Sequence, residues 1–132
     1  MLPEAETPGE WMELARSDLA VAAASRVPGA VPATPCFLCQ QAAEKAIKAV
    51  LVSRGIAFSR THNVGALLDL LPSDMAIPPS VQQAALLTRY AVDTRYPGTH
   101  EQPTWEDFQK TLRLAEAVVR WSEEMIGRGA QS

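Results

Sequence analysis

Phe37-Leu38-Cys39-Gln40-Gln41-Ala42-Ala43-Glu44-Lys45-Ala46-Ile47-Lys48 is the stretch on which the fold turns. Helix signals flank it on both sides. Thr34 stands where an N-cap belongs, Pro35 suits the first helical position, and Gly55 follows Arg54 as a stop, so a long helix is predicted over residues 34–54. Ala42, Ala43, Ala46 and Ala49 are small enough to let other helices approach closely, while Phe37, Ile47, Val50 and Leu51 supply bulk. That mixture predicts the central helix. Gln40, Glu44 and Lys48 recur every four residues, with Glu44 N-terminal to Lys48 in the favourable order for an ion pair, and read as a solvated row that supports the helix. Cys36 and Cys39 form a C-x-x-C at the helix start, where a helix N-terminus can lower a thiol pKa. No βαβ pattern surrounds them, and the two cysteines and two histidines have no zinc-finger spacing, so packing is expected, with no metal and no cofactor.

Working outward, Trp11, Leu14, Ala15, Leu19 and Ala22 recur at three- and four-residue steps and predict a first helix over residues 10–25. Asp18 falls within that stripe, where a carboxylate either meets a basic or amide partner from another helix or reaches water. After a loop at Val27-Pro28-Gly29-Ala30-Val31-Pro32, the long helix follows, and then a short one carrying Val64, Leu67, Leu68 and Leu71 with Thr61 or Asn63 as its cap. Ser80 is placed to cap a fourth helix bearing Val81, Ala84 and Leu87, which delivers Arg95 at its end. Pro97 and Gly98 force a break. Thr104 and Asp107 then form a capping-box start for a fifth helix running to about residue 126, before Gly127. Phe108, Leu112, Ala115 and Val119 make one apolar stripe on it, and Trp105, Leu114, Val118, Trp121 and Met125 a second. A small bundle cannot bury both unless another surface covers one, so a homodimer is expected.

The 132 residues suit one domain, read as residues 10–127 between a flexible N-terminus, 1–9, and a flexible C-terminus, 128–132. A 47% hydrophobic, 20% charged composition is globular, and no apolar run is long enough to span a bilayer. The first ten residues lack a basic-then-apolar export pattern, so a cytoplasmic location is expected. A net charge of -3 argues against a broad basic surface for DNA, and any RNA contact must be local.

The best candidate for such a contact is Thr94-Arg95-Tyr96-Pro97-Gly98-Thr99-His100. Arg95 is a permanent cation whose donor fork suits phosphate, and His100 titrates near neutrality, as does His62 near the start of the third helix. The bland alternative is an arginine capping its helix end beside a solvated histidine.

Three blocks together resemble the HEPN domain family, in particular the small stand-alone prokaryotic proteins found beside minimal nucleotidyltransferases. They are Trp11 to Leu19 with its Ala-x-x-Asp-Leu portion, the stretch from Phe37 to Lys48, and Thr61-His62-Asn63 with Tyr90 and Thr94-Arg95-Tyr96-Pro97. The likeness runs over roughly residues 8–126 and implies an all-α, antiparallel up-and-down bundle of four to five helices that dimerises. It also implies an R-x4-H motif, Arg95 and His100, that cleaves RNA without metal to leave a 2′,3′-cyclic phosphate. The other function it implies is a non-catalytic module that binds a nucleotide or docks a minimal nucleotidyltransferase. The chain departs from the family's active pattern at Tyr96, where a polar residue is usual, at Gln102, where a tyrosine is common, and at Leu38, where a histidine often stands.

Overall fold

A helix can bury side chains around its whole circumference only if other elements surround it. The helix Ala33–Ser53 does so: from Cys39 to Leu51 every residue except Gln41 and Lys45 is buried. The computed structural model describes residues 7–61, 63–87 and 102–131, and within them every regular element is helical. In chain order these are α1 (Pro8–Ala23), α2 (Ala33–Ser53), α3 (Val64–Asp69), α4 (Pro79–Gln82) running into a 3-10 turn (Gln83–Leu87), and α5 (Trp105–Gln131).

Contacts along the helices fix their directions. Trp11, early in α1, lies against Lys48, late in α2, and Asp18 meets Lys45, so α1 and α2 run antiparallel. Arg16 reaches Glu123 while Arg26, just past α1, stacks 4.9 Å from the Trp105 ring, so α5 is antiparallel to α1. Arg54 Nη2 donates to the Met125 carbonyl at 3.1 Å near the C-terminal ends of α2 and α5, which run the same way. The chain between them must return the other way. It does so along α5, with Trp121 Nε1 donating to the Ala76 carbonyl at 3.3 Å and Ser80 and Gln83 lying further back beside Arg113 and Lys110.

Several predicted boundaries shift for local reasons. The first helix starts at Pro8, not residue 10, because Thr7 caps it: Thr7 Oγ1 accepts from Glu10 N at 3.1 Å, and Pro8 needs no N–H at the first position. Thr34 does not cap α2. Pro32 is already helical at φ -60, ψ -26 and Cys36 N donates to its carbonyl, so the helix begins one residue before Thr34 and Pro35 sits in the first turn without losing a bond. Asn63 caps α3 by accepting from Ala66 N at 3.0 Å. Ser80 is no cap either, since Pro79 opens α4, and the chain tightens into the 3-10 turn from Gln83. Val81 and Ala84, three residues apart and both buried, share one face there, as three-residue periodicity requires. Whatever continues toward Arg95 lies outside the described residues.

Gly55 and Gly127 behave oppositely. At Gly55, φ is +69, Ile56 N donates to Leu51 O at 2.9 Å and Gly55 N to Val52 O at 3.1 Å, the bond pair of a Schellman stop. Gly127 stops nothing, and α5 runs on to Gln131. The two stripes of α5 are largely covered by the chain itself, with Trp105, Leu112 and Leu114 only partly buried. Phe108, Ala115 and Val119 are buried, and so are Val118, Trp121 and Met125 of the second stripe. Met75 and Ile77, from the segment before α4, pack against that core. Among the described residues of α5, then, neither stripe is left wholly uncovered as the homodimer argument supposed.

Gly127→Ala is expected to raise stability by about 0.5–1 kcal/mol, because a Cβ there meets nothing within 4 Å in a helical backbone. Gly55→Ala, forced into positive φ, is expected to cost about 1–2 kcal/mol. Equilibrium urea unfolding of both variants checks the pair, and shifts of the same sign would contradict this assignment of the two glycines.

Candidate functional site

Arg95 and His100 lie within residues 88–101, outside the described residues, and so do His62 and Tyr90. The structure does describe the chain on either side of that segment. Before it, α4 and the 3-10 turn are anchored by buried Val81 and Ala84. After it comes the expected capping box, where Thr104 N donates to Asp107 Oδ2 at 2.8 Å and Asp107 N to Thr104 Oγ1 at 3.0 Å. Reciprocal capping satisfies two backbone donors at once and fixes the first turn of α5. Trp105 and Phe108 meet edge to face 5.7 Å apart immediately after it.

Inside the bundle, the row Gln40, Glu44 and Lys48 is not the solvated support its spacing suggested. Gln40 is 0%, Glu44 1% and Lys48 9% exposed. Lys48 Nζ donates to Glu44 Oε1 at 3.0 Å, and Gln40 Nε2 to Glu44 Oε2 at 3.3 Å, so one carboxylate receives a cation from one turn above and an amide from one turn below. The Lys48 ammonium also lies 5.4 Å from the Trp11 ring centroid and 5.6 Å from that of Phe58. Those rings meet edge to face at 6.2 Å and present two electron-rich faces to the cation. The Trp11 indole N–H is buried with no acceptor among the described residues. The order of Glu44 and Lys48 was legible from spacing, but their burial was not. The missed signal is the alanine and apolar sequence on both sides of the row, which leaves α2 no wide polar face to turn toward water.

Asp18 resolves as the paired alternative, with Lys45 Nζ donating to its Oδ2 at 2.8 Å between α1 and α2. Cys36 and Cys39 are free thiols and wholly buried. Burial pushes the Cys36 thiol up to about 11, partly opposed by a hydrogen bond with Thr111, and pushes Cys39 up to about 12, with Cys36 and Glu116 adding to the rise. Their environment at the helix start therefore disfavours thiolate rather than creating it, and both pack as small apolar groups. Among the described residues no group of three or more His, Cys, Asp and Glu side chains is arranged to hold a metal ion, and no helix is long and apolar enough to cross a membrane.

A central helix buried on most of its circumference, an interior carboxylate–ammonium row on it and a capped start to α5 define an all-α bundle domain with a polar heart. The chain belongs to the HEPN domain family, whose sequence pattern matches residues 9–125. Among solved structures, TT1696 from Thermus thermophilus superposes with a TM-score of 0.80 at 32% identity, covering 92% of this chain and 99% of that one. ST0689, an archaeal HEPN homologue, superposes with a TM-score of 0.74 at 27% identity over the same shares. A curated relative, the chloroplastic Lipoxygenase 2.2 of Hordeum vulgare, is 34% identical over a 68-residue alignment that covers 43% of this chain and 7% of that protein's length.

Truncating Glu44 alone leaves the Lys48 ammonium buried beside two rings with no carboxylate, and Glu44→Leu is expected to cost about 3–5 kcal/mol. A double-mutant cycle with Lys48→Met is expected to return a coupling of about 1–3 kcal/mol. Additive effects would show that the two charges do not interact.

Proposed function

We propose that this chain is an RNA-directed HEPN protein, a metal-independent endoribonuclease of the toxin or defence type in which Arg95 and His100 perform the chemistry. The observation that carries the reading is the Arg95-Tyr96-Pro97-Gly98-Thr99-His100 sequence within a HEPN-family chain. Membership of that family supports it, and so does the anchoring of the chain on both sides of the motif, at the 3-10 turn and the capping box. In the proposed reaction a ribose 2′-oxygen attacks the adjacent phosphorus as its proton is taken up. The bond from phosphorus to the 5′-oxygen breaks, and that oxygen leaves as a hydroxyl after receiving a proton. The products are a 2′,3′-cyclic phosphate and a 5′-hydroxyl end. His100 moves a proton in this exchange, and Arg95 stabilises the charge that builds on the non-bridging phosphate oxygens.

Cleavage of cellular RNA in the presence of a chelator tests the reading. His100→Ala is expected to lower the rate by about 10²–10⁴-fold and Arg95→Ala by about 10²–10³-fold. Equal rates for wild type and both variants would remove the motif from the mechanism.

A specific feature favours a second reading. Tyr96-Pro97 directly after Arg95 is restricted in backbone freedom and offers no polar side chain at the position beside the arginine other than a phenol. Under it, the domain binds without cutting: Arg95 holds a nucleotide phosphate, or the bundle docks a minimal nucleotidyltransferase. Titration calorimetry then shows heat with nucleotides that Arg95→Ala abolishes. In either reading we take the working unit to be a homodimer in which the two motifs line one cleft, drawing cationic groups together on a chain of net charge -3. Light scattering at micromolar concentration is expected to give twice the chain mass, and the monomer mass would contradict the shared cleft.

A further inference from the structure

The segment that returns antiparallel along α5 leaves an open groove of about 450 Å³ between itself and that helix, lined by Ser80, Gln83, Lys110, Arg113, Leu114 and Ala117. Its chemistry is divided. Leu114 and Ala117 give an apolar floor, Lys110 and Arg113 stand one helical turn apart as a cationic rim on α5, and Ser80 and Gln83 bring a hydroxyl and an amide from the facing side. Most other described cations are already engaged: Arg16 with Glu123, Lys45 with Asp18, Lys48 with Glu44, Arg26 over Trp105 and Arg54 on the Met125 carbonyl. At the groove, Arg113 has no carboxylate partner among the described residues. Lys110 meets only the exposed Glu106, at 3.9 Å, in a pair of the kind that water and salt screen readily.

An apolar floor beside one cation unpaired among the described residues, Arg113, and one that is only weakly paired, Lys110, suits a ligand with a flat ring at one end and a phosphate at the other. A volume of this order holds one such unit, since ligand pockets begin at about 300 Å³. Gln83 opens the 3-10 turn that precedes the segment bearing Arg95 and His100 in the sequence. We propose that this groove seats one nucleotide of a single-stranded RNA, its phosphate on Lys110 and Arg113 and its base over Leu114 and Ala117, with Ser80 and Gln83 meeting its polar edges. The inference rests on the reading that the protein acts on RNA, but it assigns residues outside the R-x4-H motif. It accounts for local RNA affinity on an acidic protein, because two cations in one groove attract a phosphate strand without a broad basic face.

Binding of a labelled single-stranded RNA of mixed sequence to the His100→Ala protein, measured across salt from about 50 to 200 mM, tests the groove separately from cleavage. Lys110→Ala/Arg113→Ala is expected to weaken binding at low salt and to flatten the slope of log affinity against log salt by about 1.4, or about 0.7 for each phosphate contact removed on a single strand. Arg16→Ala/Arg26→Ala, an equal loss of charge elsewhere, is expected to leave the slope unchanged, with thermal melts confirming that all variants fold. Unchanged slope and affinity in the groove variant would overturn the proposal, and so would an equal effect of the control variant. Displacement of the RNA by adenosine monophosphate at concentrations near those of the RNA itself would assign the groove to a free nucleotide instead and overturn the strand reading. If His100→Ala cleaves as fast as wild type while the groove variant still flattens the slope, the motif's role fails and the groove stands.

Discussion

Placing an ammonium inside a helical bundle is the constraint around which the other elements are arranged. An ion moved from water to a protein interior loses several kcal/mol of solvation unless its partners are close and correctly placed. Lys48 meets that demand with Glu44 one turn away at 3.0 Å and with the Trp11 and Phe58 rings at its sides. Glu44 in turn accepts from Gln40. Three elements are thereby tied to one point: α2 supplies the row, α1 supplies Trp11, and the segment after the Gly55 stop supplies Phe58. Sliding α1 by a turn would carry Trp11 away from the ammonium and Asp18 away from Lys45 together, so the polar contacts set a register that apolar packing among alanines would leave loose.

The outer contacts follow from that register. With α1 and α2 fixed, α5 lies parallel to α2, and Arg54 fastens their C-terminal ends through the Met125 carbonyl. At the other end the capping box of Thr104 and Asp107 and the stacking of Arg26 on Trp105 hold the start of α5. The residues on either side of the R-x4-H segment are thus packed or capped, Val81 and Ala84 before it and the Thr104 to Asp107 box after it. The buried cysteines beside the start of α5 belong to the same packing, with their thiols held protonated by burial.

Much of this was legible from residues whose signal is local. The Gly55 stop, the Thr104 to Asp107 box, the Asn63 cap and the Glu44 to Lys48 order each depend on short spacings, and short spacings can be read directly. What could not be read was set by tertiary surroundings. Nothing in a four-residue polar repeat says whether it faces water, so Gln40, Glu44 and Lys48 read as surface until α1 and the Phe58 segment are seen against them. The second stripe of α5 read as surplus because the segment that Trp121 meets, through the Ala76 carbonyl, has no helical period of its own. Thr34 and Ser80 have cap chemistry but lost those positions to neighbouring prolines whose fixed φ starts the helix earlier. The motif of Arg95 and His100 was visible as chemistry and spacing, and the role proposed for it draws on the family likeness over residues 9–125.

Family membership together with that motif makes RNA scission the central claim, and the ends it leaves are its most direct signature. Mass spectrometry of a defined single-stranded RNA after incubation with the wild-type protein and a chelator should show 2′,3′-cyclic phosphate and 5′-hydroxyl ends, with those ends absent from an Arg95→Ala incubation. Fragments ending in 3′-hydroxyl and 5′-phosphate groups, or cyclic ends formed equally by Arg95→Ala, would contradict it.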